Sequence, residues 1–138
     1  MSLTFDQAVD DMTRMFSDIF RILPNTVHYP GKKRSRLTDL VPWLEYHIQH
    51  VEGFQSSLGG EGHRIYRRIG TITVKIFTPN GNGLSDSYAL AKVAADVYEG
   101  QTSQNGVWFR RVRINEIGSE GTFHQLNMYA EFEYDEIK

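Results

Sequence analysis

The chain contains no cysteine, which excludes disulfide bonds, thiolate nucleophiles and cysteine-ligated metals. It also has no apolar run approaching the ~18 residues that a membrane-spanning helix needs. The opening residues, MSLTFDQAVDDM, place acids where a secretory leader has a basic start. A strong charge of one sign is missing too: the formal net charge is −2, so nothing draws the whole chain toward nucleic acid or anionic lipid. No internal repeat or low-complexity segment is visible. Together these absences lead us to expect a soluble protein made in the cytoplasm, with no membrane partner.

What is present is ordinary in amount and informative in pattern. The 138 residues are 40% hydrophobic and 23% charged, as expected of a single globular domain spanning residues 1–138. A chain of this length buries roughly two thirds of its unfolded surface, so it can build a real core. The clearest order lies between Val107 and Tyr134. Leu126, Met128, Ala130, Phe132 and Tyr134 recur at every second position, which makes one apolar row on a strand. Gln125, Asn127, Tyr129, Glu131 and Glu133 fall on its other side. The spacing predicts two strands, Val107–Glu116 and Phe123–Tyr134, joined by a turn holding Gly118 and Gly121.

The remaining elements follow from period and punctuation. A helix is expected from Phe5 to Phe20 or Ile22, with Thr4 as N-cap and Gln7 completing a capping box. Phe5, Ala8, Val9, Met12, Met15, Phe16, Ile19 and Phe20 form its apolar face. Asp6, Asp10 and Asp11 suit the early turns, where the helix dipole favours acids. Pro24–Leu40 reads as an irregular stretch carrying the basic run Lys32, Lys33, Arg34 and Arg36. Trp43–Val51 reads as a strand and Glu52–Gly62 as a glycine-rich loop or long hairpin tip. His63–Phe77 reads as a long strand that bends or projects beyond the core, with Gly70 as a candidate bend or bulge. After the TPNGNG turn, Leu84–Tyr98 reads as a helix whose small apolar residues permit close approach to a sheet, with Gly100 as its stop. Gln101–Gly106 reads as a polar linker.

The expected fold is therefore α+β: a mostly antiparallel four-stranded sheet with two helices packed on one face and long loops. The element order is helix-strand-strand-helix-strand-strand. The other face is expected to hold Trp108, Arg110, Val112, Tyr129 and Arg67, a half-apolar, half-charged surface of the kind a subunit interface uses. An amphipathic open face with a few aromatics explains the same pattern.

Catalytic patterns are sparse. The five histidines lack zinc spacing, with no HExxH. His47 shares a strand face with Glu45, which a solvated pair explains equally well. There is no GxSxG elbow, and the glycine-rich loop lacks the lysine and hydroxyl of a phosphate-binding loop. Glu131 and Glu133 share a face but are expected to be exposed. We therefore expect no enzyme, no cofactor, no metal and no catalytic residue. Arginines beside aromatics, at Tyr66–Arg68 and Trp108–Arg113, suggest a stacking and phosphate-binding surface. Strict strand alternation would, however, split each group between two faces.

The succession of elements resembles a family of bacteriophage proteins. The residues that carry the resemblance are PWLEYHI, GTITVKIFTPNGNG, LSDSYALAKVAADVY and WFRRVRINEIGSEG…LNMYAEFEYDE. They resemble the tail terminator proteins of long-tailed, non-contractile phages, and the related minor-tail-protein-like phage domain of unknown function. The resemblance spans about Thr4 to Glu136 and implies a structural virion protein. Such a subunit forms a hexameric ring at the head-proximal end of the tail, assembled in the host cytoplasm. The ring caps the tail tube protein, stops tube polymerisation and receives a head-completion or neck protein. DNA passes through its channel without sequence-specific binding.

On that reading the candidate subunit or tube contacts are Lys32, Lys33, Arg34, Arg36, Phe54, Leu58, Arg64, Arg67, Arg68, Trp108, Arg110 and Arg113. The acidic first helix or C-terminal acids would face Arg110–Arg113 across a ring contact between two different patches. A head–tail connector or neck protein, another minor tail component, or a DNA-binding accessory protein are the alternatives.

Overall fold

The computed structural model describes residues 3–21, 26–29, 42–79, 85–120 and 123–138. The order of elements is α1 (Phe5–Phe20), β1 (Thr26–His28), β2 (Trp43–Gln55), β3 (Ile65–Pro79), α2 (Ser85–Tyr98), β4 (Trp108–Glu120) and β5 (Phe123–Ile137). The strands form one sheet in the order β1-β2-β3-β5-β4. β2, β3, β5 and β4 are each antiparallel to the next, which gives the expected α+β architecture. The short β1 was not anticipated. It lies parallel to Trp43–Glu45 of β2, inside a stretch read as irregular. The basic run at Lys32–Arg36 and the TPNGNG turn beyond Pro79 lie outside the described residues.

The apolar row of β5 sits where its period places it. Leu126, Met128, Ala130, Phe132 and Tyr134 are all buried, in register with Ile76, Val74 and Ile72 of β3. Leu44 and Tyr46 of β2 continue the same layer. Both helices cover this face. Helix α2 lies across β3, β5 and β4, and its Ala91, Ala94 and Ala95 are buried, so the backbone approaches closely. Helix α1 packs beside it, with Met12 and Phe16 buried and the Phe16 ring 5.1 Å from Tyr46. The Tyr98 hydroxyl donates to the Met12 carbonyl at 2.9 Å and ties the two helices together.

Local signals acted where they were expected. The Gln7 side chain accepts the Thr4 backbone N–H at 3.2 Å, closing the capping box of α1. Gly100, at φ +73°, takes the left-handed conformation just past α2 that a side chain disfavours.

Asp11 departs from its expected role as a dipole-facing surface acid. It is 4% exposed and accepts from the Ser103 hydroxyl (2.7 Å), the Asn105 amide N–H (2.9 Å) and the Asn105 side chain (2.7 Å). The carboxylate thereby pins the linker between α2 and β4 onto α1. The four long strands each run further than expected, β3 to Pro79 and β5 to Ile137. β2 continues through Gln55, so Glu52–Gln55 are strand, and β4 continues to Glu120.

Three bulges shape the sheet. Val51 is an extra residue in β2, opposite Gly70 and Ile69 of β3. The irregularity expected at Gly70 therefore belongs to its neighbour strand. Gly70 itself answers to crowding: a Cβ there would collide with the Phe132 ring and the Gln49 carbonyl. In β4, Arg110 and Arg111 together oppose Glu131, and Ile117 is an extra residue before Gly118.

Candidate functional site

The face of the sheet away from the helices changes character along β5. At one end Trp43 stacks on Phe77 at 4.1 Å, with Phe123 edge-on at 6.5 Å. In the middle, Gln125 donates to Asn127 (2.9 Å) and Asn127 to the Tyr129 hydroxyl (3.0 Å). Glu45 and His47 lie alongside at 3.4 Å. The far end is a lattice of arginines and carboxylates. Arg67 makes two hydrogen bonds to Asp135, at 3.0 and 3.3 Å, and its guanidinium lies 5.3 Å over the Trp108 ring. Arg110 pairs with Glu133. Arg111 and Arg113 approach Glu131 at 3.8 and 3.9 Å, and Arg113 also lies 4.8 Å over Tyr129.

The first β4 bulge makes this lattice. Without it, alternation would split the three arginines between faces, as the sequence reading expected. With two residues opposing one, Arg110, Arg111 and Arg113 all reach acids of the open face. The same phase change puts Val112 opposite Ala130, on the helix-covered side, and corrects its expected place on the open face. Trp108, Arg110, Tyr129 and Arg67 are on the open face as expected. Glu133, expected to be exposed, is only 4% exposed beneath Arg110. The C-terminal acids thus meet Arg110–Arg113 inside one subunit.

The second surface is the distal part of the β2–β3 hairpin. Val51 (69%) and Phe54 (43%) are exposed, and Leu58 at the tip is 97% exposed. Phe54 lies opposite Arg67 in the ladder. Arg64 braces the tip, donating from Nε to the Gly59 carbonyl at 3.3 Å, and exchanges backbone hydrogen bonds with Lys138.

Arg68 points to the helix side, where its guanidinium pairs with Glu136 at 3.1 Å. Beside it lies an open groove of about 410 Å³ lined by Phe5, His50, Val51, Arg68, Glu136 and Lys138. The His50 ring lies 4.1 Å from that of Phe5, tilted by 30°, and shares a 2.7 Å hydrogen bond with the Tyr134 hydroxyl. Burial, and then the Arg68 charge, pull the His50 imidazole below its ordinary pKa. Burial, reinforced by Glu136, pushes the Tyr134 phenol up to about 12.

Arg67 and Arg68 therefore sit in two separate environments, the split that strand alternation led us to expect. The groove was not anticipated, because its lining comes from α1, both strands of the hairpin and the end of β5. Among the described residues, no group of three His, Asp or Glu side chains is placed to hold a metal ion. No described helix is long and apolar enough to cross a membrane.

No protein-family model matches the chain, and no curated protein matches it. Solved structures do match. One has a TM-score of 0.70 at 16% identity, over 95% of each chain. At that identity the similarity carries the fold alone.

Proposed function

We propose that this chain is a structural, non-enzymatic ring subunit of a phage tail, a terminator that caps the head-proximal end of the tail tube. In this role it halts tube growth, presents the surface for a head-completion protein and leaves a passage for DNA. The observation that carries the reading is the β2–β3 hairpin, which leaves Val51, Phe54 and Leu58 exposed. Several large apolar side chains exposed along one hairpin suit contact with a protein partner. A ring further requires two different patches on one subunit, and the hairpin arm and the open face supply them.

The arginines weigh against duplex binding as the main task. Arg67, Arg68, Arg110, Arg111 and Arg113 each have a carboxylate partner within the subunit. Phosphate would have to displace those acids, so the surface suits DNA that slides past without sticking.

The test is electron microscopy of particles assembled without this protein. Overlong tails without heads are the expected outcome. Headless tails of normal length would assign it to the connector or neck instead. Normal-length tails firmly joined to capsids would reject a role at this junction.

A further inference from the structure

Edge strands of a sheet carry unpaired backbone N–H and C=O groups that another strand can use. This sheet has two such edges. On one side, among the described residues, β4 is paired only through β5, apart from a single bridge between Thr102 and Trp108. On the other side β1 covers β2 only at Trp43–Glu45, and no described residue pairs with the outer side of Tyr46–Gln55.

The two edges match. The bulges of β4 bracket a regular run of five residues, Val112–Glu116. The bulge at Val51 ends a regular run of five in β2, Tyr46–His50. β2 and β4 run in opposite directions, because three antiparallel steps separate them. A rotation that places one copy beside the next therefore brings β4 against β2 antiparallel, and the sheet continues along Tyr46–His50, with β4 leaving the ladder at its second bulge, where β1 covers Trp43–Glu45.

Centring the runs pairs Ile114 with Ile48, Asn115 with His47 and Arg113 with Gln49. Every pair then keeps its face. Ile48 and Ile114 lie on the helix side, while the other two pairs lie on the open side. Ile114, 39% exposed in the single chain, would gain an apolar cross-strand neighbour. The bulges also align, bringing exposed Glu52 beside Arg110 and Arg111, whose side chains are 62% and 80% exposed.

From this matching we infer that copies of the chain join edge to edge, β4 of one against Tyr46–His50 of β2 in the next. This deepens the ring reading and rests on it: the subunit contact becomes a head-to-tail continuation of the sheet.

Because the chain has no cysteine, engineered thiols report without background. The experiment mixes Gln49→Cys with Arg113→Cys, and separately His47→Cys with Asn115→Cys. All four positions are exposed, so the fold should tolerate them. Each mixture is oxidised, both for the chain alone and for particles assembled with it. A disulfide dimer in the mixtures but in neither variant alone is the expected result. The Gln49→Cys/Arg113→Cys double variant should give a ladder that ends at a closed ring. No mixed disulfide in either setting overturns the inference, and an intact ring in those same particles leaves the ring reading standing. A dimer from Arg113→Cys alone, reflecting β4 paired with its own copy, also overturns it. Tail length without the protein tests the ring reading by itself, so the two can fail separately.

Discussion

Leu126, Met128, Ala130, Phe132 and Tyr134 are buried under two helices, while Asn127, Tyr129, Glu131 and Glu133, the residues between them, sit on a face that no described helix covers. One strand thus separates two kinds of order. On the covered face, position is set by volume: rings and methyls fill space, and polar groups are few. On the open face, position is set by partner: each arginine is placed by a carboxylate and, in two cases, by a ring. Packing of the first kind resists any loss of volume. Pairing of the second kind resists loss only where one partner is buried.

The strongest way to break that contrast is in the core. Phe16→Ala should cost about 3–5 kcal/mol, since it removes a fully buried ring that touches Phe20 and Tyr46. Urea denaturation measures it. A loss below about 1 kcal/mol would mean that α1 is not held by this layer.

Next in size is Asp11→Ala, which leaves the Ser103 and Asn105 donors without their acceptor and should cost about 1–3 kcal/mol. Hydrogen exchange should rise first in Gln101–Gly106, because this carboxylate fastens that linker.

The open face predicts an asymmetry. Arg110→Ala strands the buried Glu133 carboxylate and should cost about 1–3 kcal/mol. Glu133→Gln leaves a largely exposed guanidinium that water can solvate, so it should cost about 1 kcal/mol or less. Equal costs, read from the same denaturation curves, would erase the distinction between the faces.

A smaller effect concerns pH. His50 is held below its ordinary pKa of about 6.5 in the fold, so the unfolded chain binds the proton more readily. Its contribution to stability is complete above that value and is lost as pH falls below it. The melting temperature should therefore drop on acidification from neutral, and His50→Gln should flatten that part of the curve. Leu58→Ser should change stability least, by less than about 0.5 kcal/mol, because the side chain is 97% exposed. Under the ring reading it should still weaken assembly, seen as a lower mass in solution or poor capping of tubes.

Much of the covered face was legible in the sequence, because period two in β5 and helical spacing in α1 are local signals. The sheet and both helices followed from them. The open face was less legible. Its arrangement depends on Arg110 and Arg111 sharing one partner position, and nothing in the residues around Trp108–Arg113 marks a bulge. The burial of Asp11 escaped for a similar reason: Ser103 and Asn105 lie more than ninety positions away in the chain. The three-residue β1 is too short to show a period. The groove at Phe5 and His50 is assembled from distant segments and leaves no spacing to find.

The first β4 bulge works as a change of step. Trp108 and Arg113 are separated by five positions, an odd interval that would put them on opposite sides of a regular strand, yet both address the same face. Removing Arg111 would bring the halves of β4 back into step. Phe109, Arg110 and Val112 would then stand in turn opposite Phe132, Glu131 and Ala130, each still on its present face. Loss of that one exposed residue should therefore be tolerated, whereas one residue inserted into the regular run Val112–Glu116 would reverse the inside and outside of half a strand.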